Sequence, residues 1–211
     1  MKNSTVAKPV ISRLPRYYRF LCRLSEEGKK KTSSKELAEL MGLTSSQIRQ
    51  DLNNFGVFGQ KGSGYEVSKL KESIEDILGL NKLIPAVLIG AGNLGRAVSG
   101  RLSFNDSGFR LIGIFDSNPV FDGISIKGLR IQSDESLESF CAEYKPVMAV
   151  LCIPEEKAEA TVDKLVKLGI KCFWNFTHFD ITRKYPDIVS ENVHLSDSIM
   201  NLSYYVKNKE D

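Results

Sequence analysis

The chain has 211 residues, of which 42% are hydrophobic and 26% charged, an ordinary globular composition with room for two small domains. No apolar stretch approaches the roughly 20 residues a membrane helix needs, and the start, MKNSTVAKPVISRLPRYY, lacks the apolar core and cleavage site of a secretory leader. The net charge of +3 hides an asymmetry: residues 1–78 carry 14 Lys/Arg against 9 Asp/Glu, while residues 79–211 carry 15 against 17. A basic amino-terminal third on a near-neutral body is the pattern of a chain that meets a polyanion with one end, although a basic face can also be merely solvated.

After a polar lead, Tyr17, Tyr18, Phe20, Leu21 and Leu24 recur at helical spacing, with Arg16, Arg19 and Arg23 between them. The run 26–31, rich in Glu, Gly and Lys, breaks that helix. Ser33 with Glu36 makes a capping box for a second helix, which Gly42 ends. Thr44 with Gln47 repeats the spacing and opens a third helix, stopping at Gly56. Two short helices joined by a Gly-containing turn are a helix-turn-helix arrangement.

In the third helix Ile48, Leu52 and Phe55 share one stripe and must face a core. The opposite face carries Ser46, Arg49, Gln50, Asn53 and Asn54, groups that match the hydrogen-bonding edges of bases. Gln47 and Arg16 are further candidates for DNA contact. Asp51 lies beside the inward stripe and is expected to pair with a basic neighbour. Residues 56–67 read as two short strands around a Gly-rich turn with Lys61 at its tip. After a recognition helix such a hairpin is the wing of a winged helix, able to enter a minor groove; a plain connecting hairpin is the alternative. Residues 70–80 read as a linking helix.

From residue 86 the period changes. Apolar strands are expected at 86–90, 111–116, 147–153 and 171–176, and helices at 94–103, 137–144 and 155–168. This alternation predicts a doubly wound parallel sheet covered on both faces. Beyond Pro186 the chain turns polar and ends in an amphipathic segment, 196–206. The expected fold is thus an α+β winged helix (1–78), an α/β Rossmann domain (79–192) and a carboxy-terminal helix (193–211).

Gly90-Ala91-Gly92-Asn93-Leu94-Gly95 is G-x-G-x-x-G placed straight after a buried strand and opening a helix. Gly90 permits the tight turn, Gly92 lets backbone approach a pyrophosphate, and Gly95 lets the helix pack closely on the strand. Asp116 ends the next strand, 21 residues after Gly95, where a carboxylate accepts hydrogen bonds from ribose hydroxyls and repels a 2′-phosphate. NAD(H) is therefore the expected cofactor. Ile153, Pro154, Asn175 and Phe176 close later strands at the ligand-binding edge and are candidates for lining the nicotinamide half, with core packing as the alternative for Phe176 and Trp174. A dehydrogenase needs an acid or base beside the nicotinamide. With two histidines, His178 and His194, and no Tyr-x-x-x-Lys in residues 79–192, no catalytic residue is expected. Cys22, Cys141, Cys152 and Cys172 lie far apart without CxxC or a companion histidine pattern. That argues against a metal or disulfide framework and for a reducing cytoplasm; Cys152 and Cys172 sit in apolar runs and are expected to be buried thiols.

Taken together, Arg13-Leu14-Pro15-Arg16-Tyr17-Tyr18-Arg19-Phe20-Leu21, Ser45-Ser46-Gln47-Ile48-Arg49-Gln50-Asp51-Leu52-Asn53-Asn54-Phe55-Gly56, Gly62-Ser63-Gly64-Tyr65, Ile77-Leu78-Gly79-Leu80-Asn81, the glycine loop, Trp174-Asn175-Phe176 and Glu191-Asn192-Val193-His194-Leu195-Ser196 resemble the Rex family of redox-sensing transcriptional repressors along essentially the whole chain. The resemblance implies a homodimer whose carboxy-terminal helix swaps onto the partner's nucleotide domain. It also implies inverted-repeat operator DNA, release from that DNA by NADH, and binding permitted by NAD+. In some members an Arg of the first helix, a Tyr after the Gly-rich helix and an Asp near the swapped helix link the two domains. Arg13 matches the first, but Arg101 stands in place of the Tyr and His194 in place of the Asp. His194 and Asp197 are expected to take over part of this contact.

Overall fold

A computed structural model describes residues 6–56 and 64–208. The chain divides into two compact units, Met1–Asn81 and Lys82–Asp211, against an expected boundary at 78/79. Lys61 and the tip of the expected wing lie outside the described residues.

In the first unit, α1 (Lys8–Glu26) starts earlier than its aromatic run suggested, with Pro9 in the first turn, where a missing N–H costs nothing. Pro15 lies inside the helix on its exposed face, so the carbonyl it leaves unpaired can meet water. Leu14, Tyr17, Leu21 and Leu24 make the buried stripe. Then follow β1 (Lys31–Thr32), α2 (Ser34–Met41) and α3 (Ser45–Asn53). Both expected caps are present: Ser33 Oγ accepts from the Glu36 N–H, and Thr44 Oγ1 from the Gln47 N–H. Gly42 ends α2 in the left-handed region at φ 61°.

The second arm of the expected hairpin is β2 (Tyr65–Glu66), and it pairs antiparallel with β1. The lysine run read as a simple break therefore also supplies a strand, one that exists only through this distant partner. Next, α4 (Val67–Leu78) is part of the first unit rather than a linker. Its Val67, Leu70 and Ile74 join Leu14, Tyr17, Leu21, Leu37, Met41, Ile48 and Leu52 in one core. Each such side chain contributes roughly 1.5–3 kcal/mol of burial.

The second unit follows in the order β3 (Ile84–Ile89), α5 (Asn93–Arg101), β4 (Phe109–Asp116), β5 (Ser125–Ile126), β6 (Leu129–Ser133), α6 (Leu137–Tyr144), β7 (Met148–Leu151), α7 (Glu155–Lys167), β8 (Cys172–Asn175), α8 (Ile181–Lys184), β9 (Val189–Asn192) and α9 (Leu195–Lys207). The sheet order is β5-β6-β4-β3-β7-β8-β9, parallel throughout except for β5 against β6. Leaving β5 aside, this is the doubly wound order in which the first strand lies at the centre and the chain reverses direction between β3 and β7.

Successive residues of β3 and β7 serve opposite faces. Val87, Ile89, Ala149 and Leu151 pack with Leu137 and Cys141 of α6 and with Val162 and Leu165 of α7. Ala86, Leu88, Met148 and Val150 pack instead with Val98 of α5. The expectation of a sheet covered on both sides is thereby met. The edge strands β5 and β9, and β6 inside β5, were not expected. Val189–Asn192 is polar and mostly exposed, with no apolar run to announce it.

α9 contains no buried residue, and Leu195, Ile199, Met200, Leu202, Tyr204 and Tyr205 are each at least 60% exposed. Among the described residues no helix is long and apolar enough to cross a membrane.

Candidate nucleotide site and nucleic-acid interface

The glycine loop sits at the reversal point. Gly90 follows β3 with φ +96°, and its N–H donates to the Phe115 carbonyl at 2.8 Å. A Cβ built there would stand 2.4 Å from the Cys152 carbonyl oxygen, so the turn and the neighbouring strand both require glycine. Gly95 is stricter still: a Cβ would lie 1.8 Å from the Gly90 carbonyl oxygen. Around Gly92, in contrast, nothing lies within 4 Å of an added Cβ. Any demand for glycine at that position comes from what approaches from outside, and Gly92 offers no side chain to cap the first turn of α5, Asn93-Leu94-Gly95.

Asp116 ends β4 beside this loop. Its carboxylate accepts from the Ala91 N–H at 2.5 Å and from the Asn118 N–H at 2.7 Å, tying the glycine loop to the turn after β4. On the other side of β3, Ile153 approaches the same turn, its Cγ2 lying 2.8 Å from where a Gly90 Cβ would be. Pro154 precedes α7 at its N-cap. The Phe176 N–H donates to the Leu151 carbonyl at 3.1 Å, which sets Phe176 next to the end of β7. Its ring packs on Trp174 at 4.8 Å, and both belong to the α5-side core.

Asn175 is fully buried, and its amide is committed to its own loop. Nδ2 donates to the Phe179 carbonyl and to Asn192 Oδ1, while Oδ1 accepts from the Thr177 N–H and hydroxyl. Asn175 thus shapes the wall between β8 and β9 rather than presenting its side chain. The two histidines meet where this loop approaches α9. Their rings are 4.7 Å apart, His194 Nε2 lies 3.2 Å from the Thr177 carbonyl, and Nδ1 lies 3.4 Å from Asp197 Oδ2. No signal in the sequence joined His178 to His194. Arg101 ends α5 with its side chain exposed.

All four cysteines are free thiols. Burial pushes the Cys152 thiol, beside Gly90, up to about 12, and pushes Cys141 and Cys172 upward as well. Among the described residues no group of three or more His, Cys, Asp or Glu could hold a metal ion.

In the first unit, Ser46, Arg49, Gln50 and Asn53 are exposed on the outward face of α3 and, with Asn54, line one open depression. Arg49 Nη1 also donates to Ser34 Oγ at 3.2 Å. Arg16 is exposed, with its guanidinium 5.8 Å from the Phe20 ring.

Gln47 differs from its neighbours: it turns inward and donates from Nε2 to Asp51 Oδ1 at 2.8 Å. Asp51 is the hub of this face. It is fully buried and accepts from Arg13 Nε and Nη2 at 2.6 and 2.7 Å and from the Tyr17 hydroxyl at 3.0 Å. The basic neighbour expected for Asp51 is therefore Arg13, and the pair pins α1 to α3. Burial opposes ionisation of Asp51, but the bonds from Arg13, Gln47 and Tyr17 outweigh it and hold the carboxyl below the ordinary carboxylate range. Burial and the adjoining carboxylate push the Tyr17 hydroxyl upward. The placement of Gln47 and Arg13 depends on this tertiary pair, which helical periodicity does not contain.

Comparison with known proteins extends these observations. Residues 5–53 match the family model described as "Putative DNA-binding protein N-terminus", and residues 81–179 match the one described as "CoA binding domain". The chain is 49% identical over 210 residues to the redox-sensing transcriptional repressor Rex of Thermoanaerobacter sp. (strain X514), covering 99% of this chain and 93% of that protein. It is 46% identical to the Rex repressor of Clostridium perfringens (strain 13 / Type A), covering 99% and 98%. Among solved structures it is similar to RSP in complex with beta-NADH, at 46% identity and a TM-score of 0.88, covering 99% and 97% of the two chains. For RSP in complex with beta-NAD+ and operator DNA the values are 48%, 0.91, 99% and 95%. RSP is described as a Rex-family repressor.

Proposed function

The chain belongs to the Rex family of redox-sensing transcriptional repressors, and we propose that it binds inverted-repeat operator DNA and leaves it when NADH occupies its glycine loop. Gene expression is thereby set by the NADH/NAD+ ratio of the cytoplasm. The observation that carries this reading is Asp116, fixed at the end of β4 by the Ala91 and Asn118 amides. A carboxylate there accepts from the free hydroxyls of an adenosine ribose. The same charge opposes a phosphorylated ribose, so NAD(H) fits better than coenzyme A.

In this reading Gly90 to Gly95 hold the pyrophosphate, and Ile153, Pro154 and Phe176 border the nicotinamide, with Asn175 shaping the wall behind them. An apolar border favours the neutral reduced ring over the cationic oxidised one through desolvation. Ser46, Arg49, Gln50 and Asn53 read base edges, while Arg16 and Lys61 meet the backbone or the minor groove. Gln47 serves the interface by holding Asp51.

The exposed apolar residues of α9 fit burial against a second copy, and a two-fold dimer matches an inverted repeat. His194 stands at the root of α9 between the Thr177 carbonyl and Asp197, which suits the two residues to relay the state of the nucleotide loops to that helix. Arg101 and Arg13 are the further candidates for that relay. For the switch to operate, NADH must bind the DNA-incompetent arrangement more tightly, and the ratio of its two affinities caps the shift.

The test is a gel-shift titration of an inverted-repeat operator with NADH and NAD+ added separately. Loss of complex with NADH alone is expected. Equal complex in both conditions would defeat redox sensing.

A further inference from the structure

Lys157 belongs to the first turn of α7, after β7, yet its Nζ donates to the hydroxyl of Ser117, after β4, at 3.2 Å. Strand β3 lies between β4 and β7, so this contact spans the carboxyl end of β3, above the glycine loop. The position is electrostatically awkward for a lysine. Glu155 and Glu156 suit the positive end of α7, and a cation at the next residue works against it. Something at the crevice rather than the helix accounts for an ammonium there.

The surroundings of Asp116 supply a reason. Two amides, of Ala91 and Asn118, already converge on its carboxylate at 2.5 and 2.7 Å. Because Ser117 accepts from Lys157, its own hydroxyl hydrogen is left to donate, and the lysine retains two further N–H groups. Two amides therefore hold the Asp116 carboxylate, and the Ser117–Lys157 pair brings two further donors, one of them cationic, to the adjoining residue at the same rim of the crevice. Such a set suits a dianionic phosphate at least as well.

We propose that Asp116 acts as a built-in anion filling a latent 2′-phosphate pocket, and that Lys157 and Ser117 set how strongly NADP(H) is rejected. The proposal rests on the nucleotide reading above and adds to it the residues that fix selectivity. Asp116 alone would exclude the phosphorylated dinucleotide by charge. Lys157 softens that exclusion, and removing Asp116 exposes the donors it masks.

The test is calorimetric titration of the full chain with NADH and with NADPH, for the wild type, D116S, K157Q and D116S/K157Q. The wild type should prefer NADH. D116S should bind NADPH at least about tenfold more tightly than the wild type does, the scale of one charge-assisted hydrogen bond, while NADH weakens. Adding K157Q to D116S should remove that gain, and K157Q alone should widen the preference for NADH over NADPH. The proposal is overturned if D116S still binds NADH but has gained nothing for NADPH. It is equally overturned if K157Q changes both affinities by the same factor. That comparison stands even if D116S fails to fold, because Lys157 is exposed. A wild type that binds neither dinucleotide would instead sink the nucleotide reading itself.

Discussion

Replacing Asp51 with asparagine removes one charge and keeps the volume, yet it should be among the more damaging single changes in the first unit. The carboxylate accepts four hydrogen bonds, two from Arg13 and one each from Tyr17 and Gln47. An asparagine offers one oxygen and turns an NH2 toward donors. Breaking a buried ion pair from one side costs about 3–5 kcal/mol. The lower end applies here, since the Arg13 side chain keeps 27% of its surface in solvent and can rehydrate. The fully buried Tyr17 is less able to do so. A loss of about 3 kcal/mol corresponds to a midpoint about 12–24 °C lower for a unit of this size, to be read by calorimetry on the full chain. Because the folded Asp51 titrates below its unfolded value of about 3.9, its contribution is complete above that pH and disappears as pH falls through the folded value. The wild type should therefore lose stability on acidification below about pH 4 more steeply than D51N. A midpoint drop under about 4 °C, worth less than about 1 kcal/mol, would refute the claim that this pair anchors α3 to α1.

Gly95→Ala should cost about 1–3 kcal/mol of stability through overpacking and abolish NADH fluorescence enhancement, since its Cβ would collide with the Gly90 carbonyl. Gly92→Ala should fold normally and lose only nucleotide affinity. Arg49→Ala should weaken operator binding by about 1–3 kcal/mol and relax specificity at one base pair, whereas Arg16→Ala should weaken binding to all sequences and lower the salt slope by about 1; fluorescence anisotropy at several salt concentrations separates the two. Ile199→Glu, at a position 68% exposed on α9, should convert a dimer to monomers by light scattering, and an unchanged mass would exclude α9 from the subunit interface.

Features written in local chemistry were legible in the sequence. The two N-caps, the central strands, α6 and the glycine loop follow from periodicity, capping spacing and G-x-G-x-x-G. The missed elements share a non-local origin. Lys31–Thr32 is a strand only because Tyr65–Glu66 lies alongside it, and Val189–Asn192 because β8 does. Neither sequence alternates in a way that announces burial. The face of α3 was legible except at Gln47, whose direction is set by a carboxylate bound to an arginine 38 positions away. The His178–His194 pair was obscure for the same reason, because its two rings come from separate segments, whereas Asn175 turns into its own loop and onto Asn192. Lys157 reads as an ordinary helical lysine until the strand order places it across β3.

The thiol beside the glycine loop has a consequence for signal purity. Oxidants attack the thiolate rather than the thiol, and burial, which pushes Cys152 up to about 12, favours its thiol form. Cys141 and Cys172 are shifted in the same direction. Peroxide therefore finds little to react with in the nucleotide unit, even though the molecule reports on cellular reducing power. Its output follows electrons carried by a diffusible, reversibly bound dinucleotide rather than oxidation of these three thiols.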